Sequence, residues 1–177
     1  YTSMEKYKSL IDYYSNNSRI LIRRIVNRQD RLMATLLEAD MVVKKDLNPF
    51  ISIDKDFNIK YLLAIINSKL ISYFYLNQSA IATKDDFRQT TLSELRKIPI
   101  KKISDQAPFI RLSDIMLSKN KELQEIQKKF TKLLVSEFKL DKLSEKLENW
   151  YLLDWSEFAR EVGKKKIVLS AVDEEKW

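Results

Sequence analysis

Met4, Tyr7, Ile11 and Tyr14 recur at spacings of three and four behind Ser3, whose hydroxyl can accept from the free N–H groups of a first helical turn. A short opening helix is predicted there, broken by Asn16-Asn17-Ser18. From Ile20 the pattern changes to short β-branched runs split by charged or turn residues, which predicts strands at 20–26, 32–35, 41–43 and 50–53. Residues 43–49, Val-Lys-Lys-Asp-Leu-Asn-Pro, read as a loop between the last two. Loops carried by a rigid sheet are where binding side chains tend to sit.

Beyond residue 55 the period becomes helical. Asn58 or Asp56 can cap a helix through Ile59, Leu62, Leu63 and Ile66, and Ser68 can start a second through Ile71, Tyr73, Phe74 and Leu76. This pair is apolar on most sides, so its aromatics, Tyr73, Phe74 and Tyr75 among them, are expected in the core. Asp105 or Gln106, with Pro108 in the first turn, opens the longest regular element. Phe109, Leu112, Met116, Leu123, Ile126, Phe130 and Leu133 follow a seven-residue pattern in which Lys119 alone is polar. Thirty helical residues reach about 45 Å, and a seam of that length calls for a partner helix. Leu143, Leu147 and Trp150 mark a short helix behind Asp141; another starts at Asp154, with Glu157 placed for a capping box. Gly163 is expected as the left-handed residue ending that helix, 166–169 as a small strand, and Ser170 with Asp173 as a further helix start.

Composition removes most active-site chemistries. The 177 residues include one Gly, three Pro, no Cys and no His, where average usage would supply roughly 12 Gly. A phosphate loop or a dinucleotide or S-adenosylmethionine turn needs clustered glycines, and zinc or thiolate chemistry needs Cys or His. The acids that remain are Asp54 with Asp56, Asp85 with Asp86, and Asp173 with Glu174 and Glu175. None combines with a Glu-x-Lys on a neighbouring strand, so the chain is expected to be neither catalytic nor metal-binding. The stretch 61–76 is too short and too interrupted by Asn67 and Lys69 to span a bilayer. Without Cys or a leader-like start, the chain is expected to work in a reducing, cytoplasmic setting, as a piece of a longer protein.

Charge then singles out the first part. The net charge is +7, and residues 1–106 hold 18 Lys and Arg against 12 acids, whereas 107–177 are nearly balanced at 14 against 13. Arg19, Arg23, Arg24, Arg28 and Arg31 are five of the nine arginines, opposed locally by Asp30 alone. A second basic stretch runs from Lys84 through Arg88, Arg96 and Lys97 to Lys101 and Lys102. A planar guanidinium donates two parallel hydrogen bonds, which suits phosphates and guanine edges. A solvated basic face, or pairing with Asp30, Glu38 and Asp40, is the plainer account of any one arginine; the cluster as a whole argues for an anionic partner.

One ordered set of features resembles a known family. Ile20-Leu21-Ile22-Arg23-Arg24-Ile25 is followed by strand, loop and strand from Lys44 onward, then Leu62-Leu63-Ala64-Ile65-Ile66-Asn67-Ser68-Lys69-Leu70. A polar segment with Lys84 and Arg88, the run Leu92-Ser93-Glu94-Leu95-Arg96-Lys97-Ile98-Pro99-Ile100, whose Leu-x-x-Ile-Pro-Ile part at 95–100 reads as a closing strand, and the long helix complete it. The chain resembles, over residues 19–135, the TaqI-like C-terminal specificity domain of type IIG and related restriction-modification methyltransferases, cousin to the half-repeats of type I specificity subunits. The resemblance implies an α+β fold: a small mixed β-sheet target-recognition domain with packed apolar helices at 1–106, then a long helix and short helical tail at 107–177.

The resemblance further implies that this chain reads double-stranded DNA while an N-terminal methyltransferase domain or subunit binds S-adenosylmethionine and modifies adenine at N6, with or without cleavage. The chain lacks the Asn-Pro-Pro-Tyr motif and the glycines for that step. Residues placed to touch DNA are Arg23 and Arg24 at the strand end, Arg28 and Arg31 in the following turn, Lys44, Lys45 and Asn48 on the loop, and Lys84, Arg88 and Gln89 on the polar segment. Asn48 and Gln89 could pair with adenine and Arg88 with guanine, while the lysines would set register on phosphates. Two other classes compete: a helical module that docks a methyltransferase or specificity subunit through residues 109–133, and a non-specific RNA binder, which would need exposed stacking aromatics.

Overall fold

The computed structural model describes residues 14–15, 18–26, 29–79 and 88–169. The chain divides into two compact units, Tyr1–Leu117 and Ser118–Trp177. The α+β class expected from the sequence is present as a three-stranded sheet with helices, one of them long.

In the first unit β1 (Arg19–Arg23) lies between β2 (Ala34–Leu37) and β3 (Leu47–Phe50), and both pairings are antiparallel. The central strand is buried from Arg19 to Ile22, as a run without polar alternation requires. Strand bounds differ from the sequence reading in ways the pairing explains. β3 begins inside the expected loop and ends where a strand was expected to start, because its partner is Arg23 at one end and Ile20 at the other. Pro49 is tolerated because β3 is an edge strand, where a missing N–H can face away from the sheet. Residues 41–43 form no strand: β1 already has both neighbours, and Met41 and Val42 are exposed.

The helices behave as local chemistry predicts. Asn58 accepts from Lys60 N at 2.9 Å to start α1 (Ile59–Ile66), and Ser68 accepts from Ile71 N at 3.1 Å to start α2 (Lys69–Gln78). The turn between them is a fastening for the sheet. Asn67 accepts from Ala34 N at 2.9 Å and donates to Ala34 O at 3.0 Å, covering the first residue of the edge strand β2. Ser72 accepts from Leu32 N at 3.1 Å. Ile20, Ile22, Leu32, Leu63, Ile71, Tyr75 and Leu95 form the core beneath. The closing strand expected at 95–100 does not form: a one-turn helix, α3 (Leu92–Leu95), capped by Thr91, ends where it would begin, and 98–100 has no strand partner; Thr91 is a good N-cap, and Pro99 withholds a ladder donor.

The long helix α4 (Ala107–Glu137) has the predicted start, with Ala107 N donating to Asp105 at 3.0 Å. In the first unit Phe109 meets Tyr61 edge-on at 5.3 Å, Ser113 donates to Lys60 O at 2.7 Å and Lys60 pairs with Asp114 at 2.6 Å. That hydrogen bond holds the Lys60 ammonium above its ordinary range. Leu112, Met116, Leu123, Ile126 and Leu133 of the expected seam are exposed.

The second unit packs Leu134, Leu147, Phe158 and Val162 into its own core, with the Phe130 ring 4.1 Å from Trp150. Its short helices are α5 (Glu145–Glu148), capped by Ser144, and α6 (Trp155–Gly163), where Asp154 accepts from Glu157 N at 2.7 Å. Two expectations fail here. Gly163 is the last helical residue without positive φ, and the left-handed turn is made three residues later by Lys166 at φ 64°. Residues 166–169 form no strand; Ile167 and Leu169 pack on the core as single side chains. The opening helix, apart from Tyr14, and the start at Ser170 lie outside the described residues.

Candidate functional site

One end of the sheet gathers most of the residues singled out from the sequence. Beyond Arg23, the last residue of β1, the chain continues through Arg24 and pairs with the segment 88–90. Ile25 bridges Gln89, Val26 N donates to Arg88 O at 3.0 Å and Thr90 N donates to Arg24 O at 2.6 Å. On the other side Arg24 N donates to Asp46 O at 2.9 Å, which brings up the turn holding Lys44 and Lys45. Both lysines are exposed.

Thr90 joins these pieces and was not visible in the sequence as anything but a polar residue. It is buried, donates to Arg23 O at 3.1 Å and accepts from the Asn48 amide at 2.9 Å. Tyr75 supports the same segment from below, donating to Gln89 O at 3.4 Å and accepting from Thr91 N at 3.1 Å. Arg23, Arg24, Lys44, Lys45, Asn48, Arg88 and Gln89 are thereby brought to one sheet end by backbone pairing rather than by proximity in sequence.

Their side chains are not equally available. Asn48 spends one amide N–H on Thr90, and Gln89 accepts from Arg24 Nε at 3.2 Å. Arg88 is ion-paired with Asp30, whose own backbone is left-handed at φ 56°. Arg23 is exposed and Arg24 half-buried. Arg31 lies in an adjoining cleft of about 530 Å³, lined also by Lys69, Tyr73, Asn77 and Arg88. Tyr73 is 68 % exposed there, contrary to the expectation that it is core; α2 buries Ile71, Ser72 and Tyr75 and turns Tyr73 outward. Lys69 and Tyr73 are cleft residues that the sequence reading took for turn and core. Arg28 and Lys84 lie outside the described residues.

Elsewhere charge is spent internally. Arg19, counted with the basic cluster, is fully buried and donates to Ala39 O at 2.5 Å. Lys97 pairs with Glu94, and Lys102 with Asp56, which holds the Lys102 ammonium above its ordinary range. Asp54 is a turn acid that accepts from Asp56 N at 2.9 Å. Among the described residues no group of three or more His, Cys, Asp or Glu could hold a metal ion, and no helix is long and apolar enough to cross a membrane. Asp85, Asp86, Asp173, Glu174 and Glu175 lie outside those residues.

Against known proteins, residues 2–100 match the TaqI-like C-terminal specificity domain. The chain belongs to that family. The specificity domain thus contains the whole convergent sheet end, and residues 102–177 match a domain of unknown function, DUF8810. A protein of Methanocaldococcus jannaschii, named as a type II restriction enzyme and methyltransferase, is 54 % identical over 104 residues, 56 % of this chain. The chain spans only 9 % of that relative's length. No solved structure matched significantly.

Proposed function

We propose that the specificity domain binds a short sequence of duplex DNA and is the target-recognition part of a restriction-modification enzyme. Methyl transfer to adenine N6, and cleavage where the parent cuts, would belong to a separate N-terminal domain or subunit in the cytoplasm. The observation that carries this reading is the family match over the residues that hold both the basic excess and the convergent sheet end. Residues 1–106 act as the reader, and 107–177 as a long helix and tail that pack on the reader or on the methyltransferase part. S-adenosylmethionine does not fit this chain: its one glycine lies in α6, so no glycine turn approaches a cofactor.

Within this reading Lys44, Lys45, Arg31 and Arg88 supply cations for phosphates, with Arg28 and Lys84 assigned to the same work from the sequence. Arg88 must leave Asp30 to do so, an exchange of one exposed ion pair for another. The test is enrichment of bound duplexes from a randomised pool by the purified chain, with affinities at 50 and 200 mM salt. One short site should be enriched over competitor. Affinity should fall roughly a hundred- to a thousand-fold across that salt range if about four to six phosphates are neutralised. Binding indifferent to salt, or a pool that yields no site, would refute the reading.

A further inference from the structure

Arg23 ends β1, and Arg24 lies just past it at a bend before the bridge from Ile25 to Gln89, so strand alternation does not separate their side chains. Their surroundings distinguish them. Arg24 Nε donates to Gln89 Oε1 at 3.2 Å, while no hydrogen bond to the Arg23 side chain is formed among the described residues. The guanidinium of Arg24 is tethered by that one N–H, and its two terminal nitrogens make no hydrogen bond among the described residues, which leaves them as an open fork. That fork is the edge that matches the N7 and O6 acceptors of guanine in the major groove.

The other described arginines near this end are placed differently: Arg19 is buried, Arg88 is committed to Asp30, and Arg31 lies in the adjoining cleft. Gln89 is itself well placed to hold its partner. Its backbone bridges Ile25, its carbonyl accepts from Tyr75, and the next residue donates to Arg24 O. Arginine and glutamine thus ride on backbones stitched to one another, so the fork is ordered before any ligand arrives and loses less freedom on binding.

We propose that Arg24 is the guanine-reading residue of this domain and that Gln89 is its positioning residue. The proposal rests on the DNA-binding reading above and assigns Gln89 to holding an arginine rather than to pairing with adenine.

The experiment is site selection with the full chain, its Arg24→Gln, Gln89→Ala and Gln89→Glu variants, and 7-deazaguanine placed at each guanine of the selected site. Arg24→Gln should relax one guanine position, where the roughly tenfold to hundredfold preference disappears, and leave the rest of the site intact. Gln89→Ala should weaken the same position, and Gln89→Glu should restore it, since a carboxylate also accepts from Nε. With the unaltered protein, 7-deazaguanine at that position should cost affinity, and Arg24→Gln should not notice it; this arm does not depend on a variant folding. A selected site without guanine, or an unchanged site for Arg24→Gln, overturns the proposal while DNA binding stands. So does a loss spread evenly over all sequences with a shallower salt slope, because that marks a phosphate contact. If no sequence is enriched by the unaltered chain, the DNA-binding reading fails first and takes this one with it.

Discussion

Arg19 and Arg24 stand five positions apart in a run that a charge count treats as uniform, yet one is fully buried and the other is half-buried with its Nε on Gln89. Arg19 keeps a hydrogen bond to Ala39 O and lies 5.4 Å from the Tyr14 ring centroid, a buried cation matched by acceptor and aromatic face. Residue type alone cannot separate these fates, since both are decided by which strand lies alongside. Gly163 makes the same point about conformation. Spacing suggested a left-handed cap, but the residue is helical and a Cβ there would meet nothing within 4 Å. Gly163→Ala should therefore stabilise the chain, by up to about 0.5–1 kcal/mol, through helix propensity and a less disordered unfolded state. Denaturant midpoints of the two proteins check it, and a loss of stability would point back to the left-handed conformation. Asp30, Lys139 and Lys166 show where the left-handed turns fall among the described residues; none is glycine, so the usual sequence marker is missing.

At the scale of elements, what could be read was what neighbours in sequence decide. The caps at Asn58, Ser68 and Asp154 are bonds between residues two or three apart, and each was legible. Strand limits are set by partners far along the chain, so β3 was displaced by three residues and 41–43 was given a strand that has nowhere to pair. The site fell between these cases. Its residue types were visible, but its assembly depends on residues 88–90 joining the end of β1, a bridge spanning more than sixty positions. Thr90 holds that joint, with a buried hydroxyl that serves Arg23 O and Asn48 together. Thr90→Val preserves the shape and strands both partners, at an expected cost of about 1–3 kcal/mol. Thr90→Ser keeps the bonds and should recover most of it. Unfolding of the two variants separates lost hydrogen bonding from lost packing.

Over the whole molecule, two cores divide the work of stability among the described residues. In the second unit Glu161 is buried and hydrogen-bonds Lys164 at 2.6 Å, with Lys146 of α5 at 3.8 Å, so its carboxyl sits below the ordinary value of 4.5. Asp154 is likewise held below its ordinary 3.8, first by the Glu157 N–H and then by Ser156. A carboxylate with a depressed folded pKa stabilises fully above its unfolded value and loses that contribution as pH falls through the folded one. The second unit should thus weaken on acidification from about pH 5 downward. Both described tryptophans, Trp150 and Trp155, lie in this unit and pack against its core, so their emission follows it. Denaturant midpoints by tryptophan emission should fall from pH 6 to pH 3, and Glu161→Gln should start lower at neutral pH and fall less. Parallel pH curves for the two proteins would mean that Glu161 does not couple α5 to α6, and that the acid response arises from the cap at Asp154.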